Sequence, residues 1–157
     1  MIAALLLAAL QAAPAAAQPE LLRLDHQQRI AAPPAAVWHA LTTPEGLRWI
    51  APQSRVELRV GGAYELYFWP DNADDRGMEG TRVLAFVPGS MLATSGEIEG
   101  SWVVWRLEPV ADGTLVHISS LGSGPAWAER APYFDAAMPG VLSRLAAAVE
   151  ARRREAR

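Results

Sequence analysis

The sequence contains no cysteine, and each of its 14 Lys or Arg residues is an arginine. Without cysteine the chain cannot form a disulfide, a thiolate metal site or a cysteine nucleophile. Without lysine it cannot form a Schiff base through an ε-amino group. These absences exclude several classes of enzyme and leave hydroxyl, carboxylate, imidazole and aromatic groups as the available chemistry.

Strong positive charge and metal-ligand patterns are missing as well. Seventeen acidic residues give a net charge of −3, so nucleic acid is not expected as a partner. The histidines His26, His39 and His117 stand far apart, without the spacing of a metal site. The acidic loop 71–77 has the wrong residues at the ligand positions of a calcium loop. We therefore expect no metal and no cofactor.

The N-terminal residues predict export. Residues 2–10 form an uncharged apolar run that is too short to span a bilayer, and Ala15 to Ala17 provide an A-x-A cleavage site. The run has no polar face, which argues against an amphipathic surface helix. We expect residues 1–17 to be a signal peptide and residues 18–157 to form one domain, periplasmic or secreted, without a transmembrane span.

The remaining pattern predicts an α+β domain. Residues 21–30 alternate as a strand, and prolines at positions 34 and 44 each start a short helix. A period of two then predicts six strands, joined by turns short enough to require antiparallel pairing. The predicted strands cover residues 56–60, 63–69, 81–87, 91–98, 101–110 and 114–121. A loop over residues 122–132 and a kinked helix up to Arg154 complete the prediction.

Three stretches resemble a known superfamily. Residues 37–47 (VWHALTTPEGL), 60–64 (VGGAY) and 106–114 (RLEPVADGT) are similar to START-like (SRPBCC) proteins, and among them to the bacterial Hsp90-ATPase-activator-like group. The resemblance implies a helix-grip fold, in which a curved antiparallel sheet of about seven strands grips a long C-terminal helix over a cavity. It does not decide function, because this scaffold serves lipid carriers, cyclases and receptors alike.

Aromatic residues occupy the elements that would line such a cavity. Alternation places Tyr64, Leu66 and Phe68 on one face of a strand and Tyr67 and Trp69 on the other, and the uniformly apolar first face is assigned inward. The same reasoning turns three residues of the later strands inward, and four more close the pocket from the last loop and helix. The candidate ligand-binding residues are Tyr64, Leu66, Phe68, Trp105, Ile118, Ser120, Trp127, Tyr133, Phe134 and Met138.

Three functions remain open from the sequence. Apolar walls with a few hydroxyl tips and no evident general base favour binding of a small hydrophobic or amphipathic molecule, with no catalytic residue. The first alternative is a polyketide-cyclase- or hydratase-like enzyme that uses a tyrosine or glutamate of the pocket. The second is a protein-binding adaptor with Tyr67 and Trp69 as an exposed patch. The co-chaperone role that the narrower group implies is not expected of an exported protein.

The C-terminal arginines allow two interpretations. Arg152, Arg153 and Arg154 complement the dipole of a solvated helix end. Alternatively, they make weak contact with an anionic membrane surface.

Overall fold

A computed structural model describes residues 20–156; the predicted signal segment 1–17 lies outside them. The described residues fold into eight strands, two α-helices and one 3₁₀ turn. In chain order these are β1 (Leu22–Ile30), α1 (Pro34–Thr42), the 3₁₀ turn (Gly46–Trp49), β2 (Gln53–Val56), β3 (Tyr64–Tyr67), β4 (Gly77–Met78), β5 (Val83–Val87), β6 (Met91–Ser95), β7 (Ser101–Val110), β8 (Gly113–Gly122) and α2 (Pro125–Glu155).

The strands form two antiparallel sheets that meet along one side. The larger sheet has the order β1-β8-β7-β6-β5, and the smaller has the order β2-β3-β4. A bridge between Ala63 and Arg82 joins them, and the Tyr64 N–H donates to the Thr81 carbonyl at 2.9 Å. The α+β class and the antiparallel pairing agree with prediction. The strand count is eight instead of about seven, because the short β4 lies at the end of the predicted polar loop.

The hairpin expected between the predicted strands 56–60 and 63–69 forms with a longer connection: β2 and β3 pair antiparallel, and the Gly62 N–H donates to the Arg59 carbonyl at 2.8 Å in the turn. The β2–β3 ladder ends at the pair Val56 and Tyr64, so residues 57–62 form a connection instead of a strand. The two glycines bond sideways to β5: the Gly61 N–H donates to the Val83 carbonyl at 2.8 Å, and the Gly62 carbonyl accepts from the Val83 N–H at 2.9 Å. Alternation alone could not reveal this pairing, because the partner strand is distant in sequence.

The first short helix is confirmed at its predicted start, whereas the second begins at Gly46, two residues after the predicted start at Pro44. α1 begins at Pro34, where a missing N–H costs nothing. The second is one 3₁₀ turn, held by the Thr43 hydroxyl, which accepts a hydrogen bond from the Gly46 N–H at 2.9 Å.

The last helix begins earlier than predicted and passes through two prolines. α2 starts at Pro125 and contains Pro132 and Pro139 without interruption. Each internal proline removes one backbone hydrogen bond, to the carbonyls of Ala128 and Asp135 respectively. All four residues are exposed, so water can bond the freed carbonyls. No helix within residues 20–156 combines the length and apolar character needed to cross a membrane.

α2 lies near one edge of the larger sheet, at β1. It packs chiefly on β1, where the His26 ring lies 2.9 Å from the Asp135 carboxylate and the Ala31 N–H donates to Glu150 at 3.0 Å. Its apolar residues Leu142, Leu145 and Val149 are buried in the core. α1 lies over part of β7, and α2 stands away from β6 and β3, so a space remains between these strands and α2.

Candidate ligand-binding groove

The uncovered part of the inner sheet face forms one cavity of about 490 Å³, here called the groove. It lies between β3, β6, β7 and β8 on one side and α2 and the 3₁₀ turn on the other. Its volume falls within the range of small-molecule sites, about 300–1,000 Å³. All ten residues predicted to bind a ligand lie on its wall: Tyr64, Leu66, Phe68, Trp105, Ile118, Ser120, Trp127, Tyr133, Phe134 and Met138. That a ligand occupies it stays a prediction.

Cross-strand rows of the larger sheet form the groove floor. Thr94, Val103 and Ser120 are directly paired across β6, β7 and β8. The next inward row includes Trp105 and Ile118, which are paired on β7 and β8. Because alternate residues of a strand point to opposite faces, these rows share the inner face, as the alternation predicts.

The smaller sheet contributes a buried apolar wall. Tyr64 and Leu66 are each only 4% exposed, and the Tyr64 hydroxyl donates to the Leu41 carbonyl at 2.9 Å. Burial raises the pKa of Tyr64, so the phenol stays neutral. Tyr64 is one of the predicted ligand-binding residues, but its hydroxyl is already bonded within the protein.

Trp127 is fixed at one end of the groove by three contacts. Its indole N–H donates to the Leu22 carbonyl at 3.0 Å, and its ring stacks on Phe134 at a centroid distance of 5.5 Å. Gly122 allows the close approach, since a Cβ at that position would lie 2.6 Å from the indole. The start of α2 is thereby joined to β1 and β8.

Two aromatic rings stand at the rim. Tyr133 is 64% exposed and Trp69 is 59% exposed, and both line the groove. Trp69 was predicted on the outer face beside Tyr67, but β3 ends at Tyr67, so strand parity no longer holds at Trp69. The Tyr67 hydroxyl donates to Glu65 at 2.8 Å, and the Arg76 guanidinium covers its ring at 4.7 Å. The two residues therefore form no shared outer patch.

Sequence reasoning missed a stripe of α2. Residues spaced by three or four positions between Trp127 and Arg144 face the groove, as one side of a helix does. The stripe adds Arg130, Ala137, Val141 and Arg144 to the predicted residues. The predicted loop over residues 122–132 concealed this spacing. Five of the six tryptophans line the groove, all but Trp38.

Polar groups on the wall are few. The Thr94 and Ser120 side chains are each 2% exposed, and neither forms a side-chain hydrogen bond to another described residue. Of the described acidic residues, Glu97 alone lines the groove, and it lies exposed beside the turn after β6. The wall can thus surround an apolar body and offer hydroxyl contacts.

Two of the C-terminal arginines have partners in the protein. Arg152 donates to the Glu45 carbonyl at 2.7 Å, and Arg153 donates to the Ala31 carbonyl. Their side chains hold the end of α2 against the segments flanking α1. Membrane contact through Arg152, Arg153 and Arg154 stays a prediction.

The fold agrees with the family comparison. The family model described as Activator of Hsp90 ATPase homolog 1-like protein matches residues 31–150. The chain belongs to this family. The predicted membership in the SRPBCC helix-grip superfamily is thereby confirmed.

Solved structures of several bacterial proteins are similar to this family member. An AHSA1-like protein from Rhizobium etli is 28% identical, with a TM-score of 0.63 and coverage of 83% of each chain. A protein from Mesorhizobium loti is 21% identical, with a TM-score of 0.67, over 82% of this chain and 97% of its own. An Aha1 dimer from Colwellia psychrerythraea is 21% identical, with a TM-score of 0.66, over 82% of this chain and 96% of its own. The last two establish the fold alone. No curated protein matches this sequence significantly.

Proposed function

We propose that this family member is an exported binding protein that holds a small hydrophobic or amphipathic molecule in the groove. The groove itself supports the proposal: a cavity of about 490 Å³ with five of the six tryptophans on its wall. A domain that only needed a core would gain stability by closing such a space, because voids forfeit packing contacts. Here α2 rests on β1 and leaves the space open.

The composition of the wall supports an apolar ligand. Aromatic rings provide large contact areas and lose little conformational freedom on binding. Thr94 and Ser120 add hydroxyls on the floor that can orient one polar group of the ligand. The cost of ordering the wall is small where residues such as Trp127 are already held by other contacts.

Filling the groove from α2 tests the proposal. Ala137 lines the groove, whereas the neighbouring Ala136 is exposed and does not. We expect Ala137→Phe to abolish uptake of apolar probes, and Ala136→Phe to leave it unchanged. The measurement is native mass spectrometry of the protein as purified and after incubation with a panel of lipids and aromatic compounds. Tryptophan fluorescence quantifies binding, because a ligand in the groove would change the emission of the tryptophans on its wall.

The result can contradict the proposal in two ways. The wild type would carry and accept no ligand from the panel, or both phenylalanine variants would bind equally well. Circular dichroism of the two variants confirms that each is folded before the comparison is made.

Export is tested separately. We expect the full-length gene product to appear in the periplasmic fraction or the medium, with an N-terminus at Gln18. Intact-mass measurement of the protein gives the cleavage position directly. Retention in the cytoplasm at full length would contradict export without affecting the groove.

A further inference from the structure

The charge on the groove wall differs in sign from that of the chain. The chain has a net charge of −3, yet the wall holds two arginines and one acidic residue. Arg130 and Arg144 lie on the α2 side of the groove, and Glu97 lies on the sheet side, in the turn after β6. The described part of the wall is therefore net positive within an acidic protein.

Neither arginine is neutralised by a neighbouring carboxylate. Within residues 20–156, no acidic group lies within 4 Å of either guanidinium, whereas some of the arginines outside the groove, such as Arg23 and Arg29, are paired at 2.7 and 2.6 Å. The Arg130 guanidinium lies over the Tyr133 ring, 5.3 Å from its centroid. That contact orders the side chain without satisfying its N–H donors.

The two arginines stand far apart along the groove. They are 14 residues apart on α2, which corresponds to about 21 Å along the helix axis. Between them the same helix face presents Phe134, Ala137, Met138 and Val141. A long apolar segment with a cationic donor at each end is the complement of an elongated molecule with an anionic head.

We infer that the groove selects an elongated amphipathic anion, whose apolar chain lies on the aromatic wall and whose carboxylate is bound by Arg130 or Arg144. This inference rests on the proposed function, since it names the class of ligand for the same site. A guanidinium matches a carboxylate with two parallel N–H donors, and an apolar rim strengthens the pairing.

Matched probes test the selection in the full mature protein. Decanoate and decanol have the same chain length and differ in the head group, and both are titrated at pH 7.5 with tryptophan fluorescence as the signal. The variant R130Q/R144Q removes both wall arginines. The control R106Q/R154Q makes the same change in net charge at exposed positions outside the groove. All six tryptophans remain in each variant.

We expect the wild type and R106Q/R154Q to bind decanoate more tightly than decanol. In R130Q/R144Q, decanoate binding should weaken by about ten- to a hundredfold, the worth of a charge-assisted hydrogen bond, while decanol binding is retained. The two single variants then assign the carboxylate to one end of the groove.

Two results overturn the inference. If the wild type binds decanoate no better than decanol, or if R130Q/R144Q keeps the preference, the arginines do not select the head group and only the proposed function stands. If neither probe nor any other apolar compound binds the wild type, the proposed function fails and the inference fails with it.

Discussion

The polar groups on the two faces of the larger sheet differ in whether they have hydrogen-bond partners within the protein. On the outer face, the Asp25 carboxylate accepts hydrogen bonds from Ser119 at 2.5 Å and Arg23 at 2.7 Å, which hold its pKa below the ordinary value. His117 lies 3.4 Å from Glu108 on the same face. On the inner face, the hydroxyls of Thr94 and Ser120 have no such partners among the described residues.

The difference indicates which face of the sheet has hydrogen-bonding groups available to a ligand. Exposed ion pairs on the outer face, such as that of Arg23 with Asp25, satisfy one another and add little stability, typically below about 1 kcal/mol each. Unpaired groups on a concave apolar wall can instead direct their hydrogen bonds to a ligand. The paired groups of the outer face are therefore already satisfied, and the inner face is the surface on which a ligand would find donors.

The largest expected effect separates structural from rim residues within the groove. Trp127→Ala removes the bond to the Leu22 carbonyl and the stack on Phe134, and we expect a loss of about 3–5 kcal/mol in the free energy of unfolding. Trp69→Ala, at a rim position that is 59% exposed, should cost less than about 1 kcal/mol. Urea unfolding followed by circular dichroism measures both.

Equal stability of the two tryptophan variants would contradict the distinction between structural and rim residues of the groove. Gly122→Ala provides a second test, because its Cβ would lie 2.6 Å from the Trp127 ring. This variant should lower stability in the same direction as Trp127→Ala, because it displaces the same indole.

A middle-sized effect is expected at two hydroxyls of the groove wall. Tyr64→Phe leaves the Leu41 carbonyl without its donor and should cost about 1–2 kcal/mol, with ligand affinity unchanged. Ser120→Ala removes a hydroxyl that bonds no described residue and should change stability by less than about 0.5 kcal/mol. Unfolding and fluorescence titration of both variants decide the point; a stable Tyr64→Phe would show that its hydroxyl is not structural.

The smallest effect concerns the outer face of the smaller sheet and depends on pH. Burial opposes ionisation of Glu65, but bonds from the Gly80 N–H and the Tyr67 hydroxyl outweigh it and hold the pKa of Glu65 below 4.5. The charged form therefore stabilises the fold above pH 4.5, and this contribution is lost as the pH falls through the lowered pKa. Glu65→Gln should cost about 1 kcal/mol at pH 7.

Urea unfolding of wild type and Glu65→Gln between pH 7 and pH 3 measures that dependence. The difference between them should shrink as the pH falls from 4.5 through the lowered pKa of Glu65, because the wild-type carboxylate then becomes protonated and resembles the amide. A difference that stays constant over this range would mean that the ionised form of Glu65 contributes nothing.

The groove residues on regular strands could be predicted from the sequence. Along β7 and β8, charged residues such as Arg106 mark the outer face, so alternation assigns Trp105, Ile118 and Ser120 inward. The period of two is a property of any strand, and it holds wherever a strand is long enough. Trp69 was misassigned because β3 ends two residues before it.

The tertiary structure alone decided whether these inward residues enclose a space. Local periodicity cannot show that Gly61 and Gly62 bond to Val83 or that α2 lies over β1. Those are contacts between distant segments, and their outcome depends on packing. The sequence determined which residues face inward; the placement of α2 determined that they line a groove and that Arg130 and Arg144 stand on its wall.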